Sequence, residues 1–124
     1  MIAKTILYVE DNEANRKIVR QLLKGTSYTL IEAVDGEAGV ATALERLPDL
    51  ILMDIQLPKI SGLEATRRLR AQPATAGIPI IAITSFALSG DDQKAKEAGA
   101  NAYMAKPYSP RDLLALIRRT VPDA

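Results

Sequence analysis

Leu50-Ile51-Leu52-Met53-Asp54 is a short, continuously apolar run closed by a carboxylate. A run with no polar face to turn to water predicts a central strand of a parallel sheet, covered on both sides. Outward from it the pattern recurs in Thr5-Ile6-Leu7-Tyr8-Val9, Thr29-Leu30-Ile31-Glu32-Ala33, Ile80-Ile81-Ala82-Ile83-Thr84 and Ala102-Tyr103-Met104-Ala105. In chain order the first, third and fourth runs are the most apolar. The second and fifth are weaker and are predicted at the sheet edges.

Helical punctuation lies between the runs. Ala14, Ile18, Val19, Leu22 and Leu23 form one apolar face, closed by Gly25. Asp35 is a candidate N-cap for a second helix with Val40, Ala41, Leu44 and Leu47 inward, stopped by Pro48. Ser61-Gly62-Leu63-Glu64 reads as a capping box, and Ser89-Gly90-Asp91-Asp92 as a weaker one. Ser109-Pro110-Arg111-Asp112 puts Ser at a cap and Pro at the first helical position, ahead of an inward face of Leu113, Leu114, Ile117 and Val121. Strict alternation predicts an α/β fold. It is a doubly wound (βα)5 three-layer sandwich with right-handed crossovers and a parallel sheet of order 2-1-3-4-5, flavodoxin-like. Five units are too few for a closed barrel.

Composition narrows the chemistry. The 124 residues, 48% apolar and 25% charged, suit one globular domain over 1–124, with no room for an output domain. There is neither cysteine nor histidine. Disulfides, Cys/His zinc centres, cysteine proteases, Ser-His-Asp triads and a phosphohistidine on this chain are therefore excluded. Any metal must be held by oxygen, which selects a hard cation. Sixteen basic against fifteen acidic residues give +1, too balanced to predict nucleic acid or an anionic membrane as partner. No apolar stretch can span a bilayer, and Met1-Ile2-Ala3-Lys4 opens no signal peptide, so the cytoplasm is the expected location. Aromatics are 4% with no Trp, which argues against a flavin or single-strand stacking site.

In such a sheet a ligand binds beyond the carboxyl ends of the strands, at the switch point between the first and third. Glu10-Asp11 follow the first run, Asp54 closes the third, Thr84-Ser85 end the fourth and Lys106-Pro107 follow the fifth. Singly, each has an ordinary reading: a helix cap, a solvated strand end, turn residues, a surface lysine. Jointly they bring three carboxylates, hydroxyls and one ammonium to one crevice. Packed carboxylates repel, and one ammonium does not balance three, so the site calls for a divalent cation. Mg²⁺ fits best. Two of these carboxylates with the main-chain carbonyl of Gln56 leave about three octahedral positions for water and a phosphoryl oxygen. The chemistry is phosphoryl transfer to a carboxylate, with Asp54 as nucleophile. Charge on the three equatorial oxygens would meet Mg²⁺, Lys106, and the Thr84 hydroxyl with the Ser85 backbone N–H.

At these residues the sequence resembles the receiver domain of two-component response regulators, over the whole chain. The matching pieces are Val9-Glu10-Asp11-Asn12, Leu52-Met53-Asp54-Ile55-Gln56-Leu57-Pro58 running on to Ser61-Gly62, Ile83-Thr84, and Lys106-Pro107. The resemblance implies that Asp54 accepts a phosphoryl group from a histidine kinase or histidine phosphotransfer protein, while Glu10 and Asp11 help to place Mg²⁺. It implies that Lys106 contacts the phosphoryl group, that the bond to Pro107 is cis, and that Thr84 and Tyr103 are a switching pair. Ser85 stands where the family often has Ala or Gly. Gln56 and Phe86 occupy variable positions that tune water access, and the bulk of Phe86 predicts slow self-dephosphorylation. Read without the family, Tyr103 is a half-buried aromatic on an edge strand. Lacking histidine, the chain is the receiving half of a relay.

The likeness is to stand-alone receivers, such as the chemotaxis motor regulator and cell-division regulators. Their output is a protein-binding face of the fourth helix, fifth strand and fifth helix, offered to a downstream protein target by a monomer or weak dimer. A receiver cut from a hybrid kinase, or a phosphate shuttle or sink in a phosphorelay, is the alternative. Rival classes fit less well. Aspartate-nucleophile phosphohydrolases resemble D-x-D after the first strand, where this chain has Glu10-Asp11-Asn12; Asp54-Ile55-Gln56 lacks the second acid. A flavodoxin-like electron carrier would need a hydroxyl-rich phosphate loop after the first strand, and no P-loop motif occurs. Phe86-Ala87-Leu88 reads as core contact beneath a loop, or as a partner patch. Ala14 and Ile18 are candidates for docking a helical phosphotransfer partner.

Overall fold

A computed structural model describes residues 3–84, 91–106 and 108–122. The sequence features at Ser85, at Phe86-Ala87-Leu88, at the Ser89-Gly90 cap and at Pro107 lie outside the described residues. Five strands, β1 (Thr5–Val9), β2 (Thr29–Ala33), β3 (Leu50–Asp54), β4 (Ile80–Thr84) and β5 (Ala102–Ala105), alternate with five helices. The helices are α1 (Glu13–Leu23), α2 (Gly36–Arg46), α3 (Gly62–Ala71), α4 (Asp91–Ala98) and α5 (Pro110–Thr120). All strand pairs are parallel and the order is β2-β1-β3-β4-β5, as predicted. Among the described residues no helix is long and apolar enough to cross a membrane.

Period-two alternation sorts the strand side chains into two cores. Ile6, Tyr8, Leu50, Leu52, Ile81 and Ile83 pack with Val19 and Leu23 of α1 and with Leu113 and Ile117 of α5. On the other side Leu7, Val9, Ile51, Met53 and Ile80 meet Ala43 of α2 and Ala65 and Leu69 of α3. A smaller group joins Ile55, Ala82, Tyr103 and Ala95 of α4. Every residue of β3 and β4 is buried, whereas β2 and β5 are mostly half-exposed edges. Asp35 Oδ1 accepts from the Ala38 N–H at 2.7 Å and Ser61 Oγ from that of Glu64 at 3.1 Å, so both expected caps are made. Ser109 makes no side-chain cap bond, and Pro110 opens α5 instead.

Two helices meet the sheet on a face other than the one their bulky residues suggest. On α1, Val19 and Leu23 are buried but Ala14 and Ile18 are exposed. The inward positions of its first turns go to Asn15 and Arg16, which bond to Glu10. On α2 the buried residues are Gly36, Gly39 and Ala43, with Val40 half-buried, while Ala41, Leu44 and Leu47 face water. A Cβ at Gly39 would stand 2.7 Å from Val9 Cγ2, and one at Gly36 would stand 2.6 Å from Ile60 Cγ1. Close approach needs the small residues inside, and that phase turns the leucines out. Leu47 ends α2 in the left-handed region at φ 46°, with Pro48 buried behind it. On α5, Leu113, Ile117 and Val121 are buried as predicted, and Leu114 is half-buried.

Opposite outcomes are therefore expected for two α2 substitutions in urea unfolding. Gly39→Ala crowds Val9 and destabilises the fold by about 1 kcal/mol or more, despite the better helix propensity of Ala. Leu47→Gly releases the left-handed strain at little loss of burial, and is neutral or stabilising by up to about 1 kcal/mol. A loss of about 2 kcal/mol or more in Leu47→Gly would restore the inward reading of Leu47.

Candidate functional site

Glu10 extends the Ile6–Tyr8 face one step past β1, Asp54 extends the Leu50–Leu52 face, and Lys106 extends the Ala102–Met104 face. Alternation thus aims all three at one corner, on the α1 and α5 side of the sheet. Lys106 Nζ lies 2.8 Å from Glu10 Oε1 and 3.1 Å from Asp54 Oδ2. Glu10 and Asp54 are buried, at 1% and 3% exposure. Asp11 is exposed, yet one carboxylate oxygen from each of Glu10, Asp11 and Asp54 lies within 4.8 Å of the others. Asn12, rather than either acid, caps α1 by accepting from the Asn15 N–H at 3.0 Å. The ordinary reading of Glu10-Asp11 as a helix cap is thereby removed.

Tyr8, Asn15 and Arg16, which the sequence did not single out, join Asn12, Gln56 and Gly62 in holding these groups. Glu10 Oε1 accepts from the Tyr8 hydroxyl at 3.1 Å and from Asn15 Nδ2 at 3.2 Å, and Oε2 accepts from the Asn12 N–H at 3.2 Å. Arg16 donates to the Glu10 carbonyl at 2.9 Å. The Gln56 N–H donates to Asp54 Oδ1 at 3.0 Å. Gly62, the first residue of α3, donates to the Ile55 carbonyl at 2.8 Å. A Cβ on Gly62 would overlap the Asp54 carbonyl oxygen, so only glycine lets α3 start this close to the acid. The signal for Tyr8 was available as the residue two before Glu10, on the same strand face.

Burial, and then the neighbouring Glu10, push the Asp54 carboxyl up to about 7, outweighing the Gln56 N–H and Lys106. Burial also pushes Glu10 upward, but hydrogen bonds with Asp54 and Lys106 more than offset it and hold that carboxyl below its usual range. Burial alone would lower Lys106; the two carboxylates reverse that and keep it charged. Three acidic oxygens against one ammonium form a hard donor set with excess negative charge, which fits a small divalent cation. Thr84 is buried opposite Ala105, and Ala82 stands opposite Tyr103. Thr84 and Tyr103 therefore share the face that carries α4, and Tyr103 is half-buried there.

Residues 6–118 match the sequence profile of the response regulator receiver domain. The chain belongs to that family. Among its relatives is the polar-differentiation response regulator DivK of Brucella anthropi, 41% identical over 121 residues that cover 98% of each chain. The receiver domain of a sensor histidine kinase from Pseudomonas aeruginosa, solved with a magnesium ion coordinated in its active-site cleft, is 38% identical. It superposes with a TM-score of 0.88 over 95% of this chain and 97% of that one. The chemotaxis response regulator CheY4 of Vibrio cholerae, 28% identical, reaches 0.90 over 97% and 100%.

A receiver domain with this acid pair has a distinctive acid response in metal-free buffer. The Asp54 carboxyl titrates in the fold at about 7, against an ordinary value of 3.8. The folded state thus binds more protons than the unfolded one between those values, and stability falls as pH rises through that window. Asp54→Asn removes the penalty. In chemical denaturation with chelator present, this variant is expected to exceed the native chain in stability at pH 8, by a margin that shrinks toward pH 4. A margin independent of pH contradicts the assignment.

Proposed function

We propose that this receiver domain accepts a phosphoryl group on Asp54 from the phosphohistidine of a histidine kinase or histidine phosphotransfer protein. The reaction depends on Mg²⁺ and resets a protein-binding surface on α4, β5 and α5 for a downstream target. The observation that carries the reading is the buried Asp54 carboxylate, contacted by Lys106 within 3.1 Å and grouped with Glu10 and Asp11. The magnesium of the Pseudomonas aeruginosa relative supports the choice of cation. Glu10, Asp11 and Asp54, with the main-chain carbonyl of Gln56, are the proposed holders. When bound, Mg²⁺ would neutralise charge on a phosphoryl oxygen.

The chain's own groups do the rest. An Asp54 carboxylate oxygen forms the new bond to phosphorus as the donor's P–N bond breaks, and that electron pair returns to the imidazole nitrogen. With Mg²⁺ bound, the Asp54 carboxylate would be held ionised, and a carboxylate nucleophile needs no general base. Lys106 donates to a second phosphoryl oxygen; the Thr84 hydroxyl and the Ser85 N–H serve the third. Moving Thr84 toward the phosphoryl group vacates space on the α4 face, into which Tyr103 turns. The chain acts as an acceptor that loses its phosphate slowly, rather than as a turnover enzyme. It works in the cytoplasm as a monomer or weak dimer.

The 41% identity with DivK, over 98% of both chains, favours a stand-alone regulator. The 38% identity with a kinase-borne receiver supports a second reading, a phosphate shuttle within a relay. Both require the same acceptor. With Mg²⁺ and a small phosphodonor, the native chain is expected to gain an acid-labile, hydroxylamine-sensitive phosphate, and Asp54→Asn none. Labelling of both chains, or of neither, overturns the proposal. Lys106→Ala is expected to retain Mg²⁺ binding in an NMR titration while losing the conformational response to a phosphate analogue.

A further inference from the structure

Among the described residues Tyr8 is the largest fully buried side chain, yet it carries a hydroxyl. An apolar residue would fill the space between β1 and α5 without a polar atom to satisfy. The hydroxyl instead donates to Glu10 Oε1 at 3.1 Å from within the core. The same oxygen accepts from Lys106 Nζ at 2.8 Å and from Asn15 Nδ2 at 3.2 Å. Three donors exceed the two lone pairs of a carboxylate oxygen, so Oε1 has nothing left to offer. Oε2 accepts the Asn12 N–H at 3.2 Å, and with Asp54 ionised beside a cation it has a lone pair to offer.

We propose that Tyr8 is a positioning residue for the cation site: its buried hydroxyl fixes the rotation of the Glu10 carboxylate, committing Oε1 to the protein and leaving Oε2 for a divalent cation. The inference rests on the Mg²⁺-dependent reading above and adds a residue to it. One further observation supports it. Tyr108, two residues beyond Lys106, packs against the core that holds Tyr8. One chain segment thus supplies Lys106 to Glu10 and packs Tyr108 on the core around Tyr8.

Tyr8→Phe keeps the ring and deletes the donor. Amide NMR titration with Mg²⁺ is expected to show affinity weakened about tenfold, as for loss of other groups that orient metal ligands. The phosphorylation rate at saturating Mg²⁺ should stay within about twofold of native, because the hydroxyl acts only through Glu10. Tyr28→Phe is the structural control. Its hydroxyl donates to the Val121 carbonyl at 2.7 Å in the same core, so this variant should lose stability and keep native Mg²⁺ affinity. Unchanged affinity in Tyr8→Phe, or an equal loss in Tyr28→Phe, overturns the inference and leaves the phosphoacceptor reading standing. Failure of the native chain itself to bind Mg²⁺ removes both. Should Tyr8→Phe not fold, 3-fluorotyrosine placed at position 8 alone keeps the hydroxyl. Its ¹⁹F resonance is expected to move with Mg²⁺ on the same isotherm as the backbone amides, and an immobile resonance overturns the inference.

Discussion

A single ammonium between two buried carboxylates governs this structure. Lys106 meets Glu10 and Asp54 at 2.8 and 3.1 Å, in a corner from which both acids are almost wholly hidden from water. Burying two such charges costs several kcal/mol each, and one lysine compensates only one of them. The remainder raises the affinity of Asp54 for a proton and makes the corner ready to receive a cation. The sheet order makes this meeting possible. β1 and β3 are neighbours, so Glu10 and Asp54 come together directly, but β4 separates β3 from β5. Two strand spacings, about 9.5 Å, must then be crossed from β5, and the long flexible stem of lysine suits that reach.

How much of this was legible in the sequence depends on what each residue had to signal. The five strands were readable because each short run is bounded by helix punctuation and the central ones have no polar face. The acids and the lysine were readable because topology, once fixed, makes the residue after each strand the informative one. The phase of α2 was not. Hydrophobic periodicity weighs Leu44 and Leu47 above glycine, whereas contact with Val9 rewards the smallest residue, and Gly39 won the inner face. The same bias concealed the support of Glu10. In an apolar run Tyr8 reads as core filler, and on a helix Asn15 and Arg16 read as solvent-facing. Each takes an inward position because a buried carboxylate and its carbonyl need donors.

Close approach of α3 is a second constraint that pattern alone did not reveal. Ser61-Gly62 was read for its cap, and the cap is made. Gly62 is needed for another reason as well. Its missing side chain lets the first turn of α3 lie against the Asp54 carbonyl, while its N–H holds Ile55. The backbone on both sides of the acid is thereby fixed. Gln56 adds a donor to Asp54 Oδ1, leaving Oδ2 to Lys106. A group held from three directions is preorganised for reaction at a defined place.

The two faces of the sheet divide the work. Glu10, Asp54 and Lys106 continue the face packed by α1 and α5, whereas Thr84 and Tyr103 belong to the face packed by α4. Under the proposed function, a signal that starts at the carboxylates would have to cross the sheet. The backbone offers a direct tie, because the Lys106 N–H donates to the Thr84 carbonyl at 2.6 Å. Lysine on one face and threonine on the other are thus joined by one rung of the ladder. A pull on the Lys106 side chain and a pull on the Thr84 hydroxyl act on the same peptide pair. Tyr103 sits three residues before Lys106, on β5, so a shift of that rung would reach its ring along an edge strand, the part of a sheet least restrained by pairing.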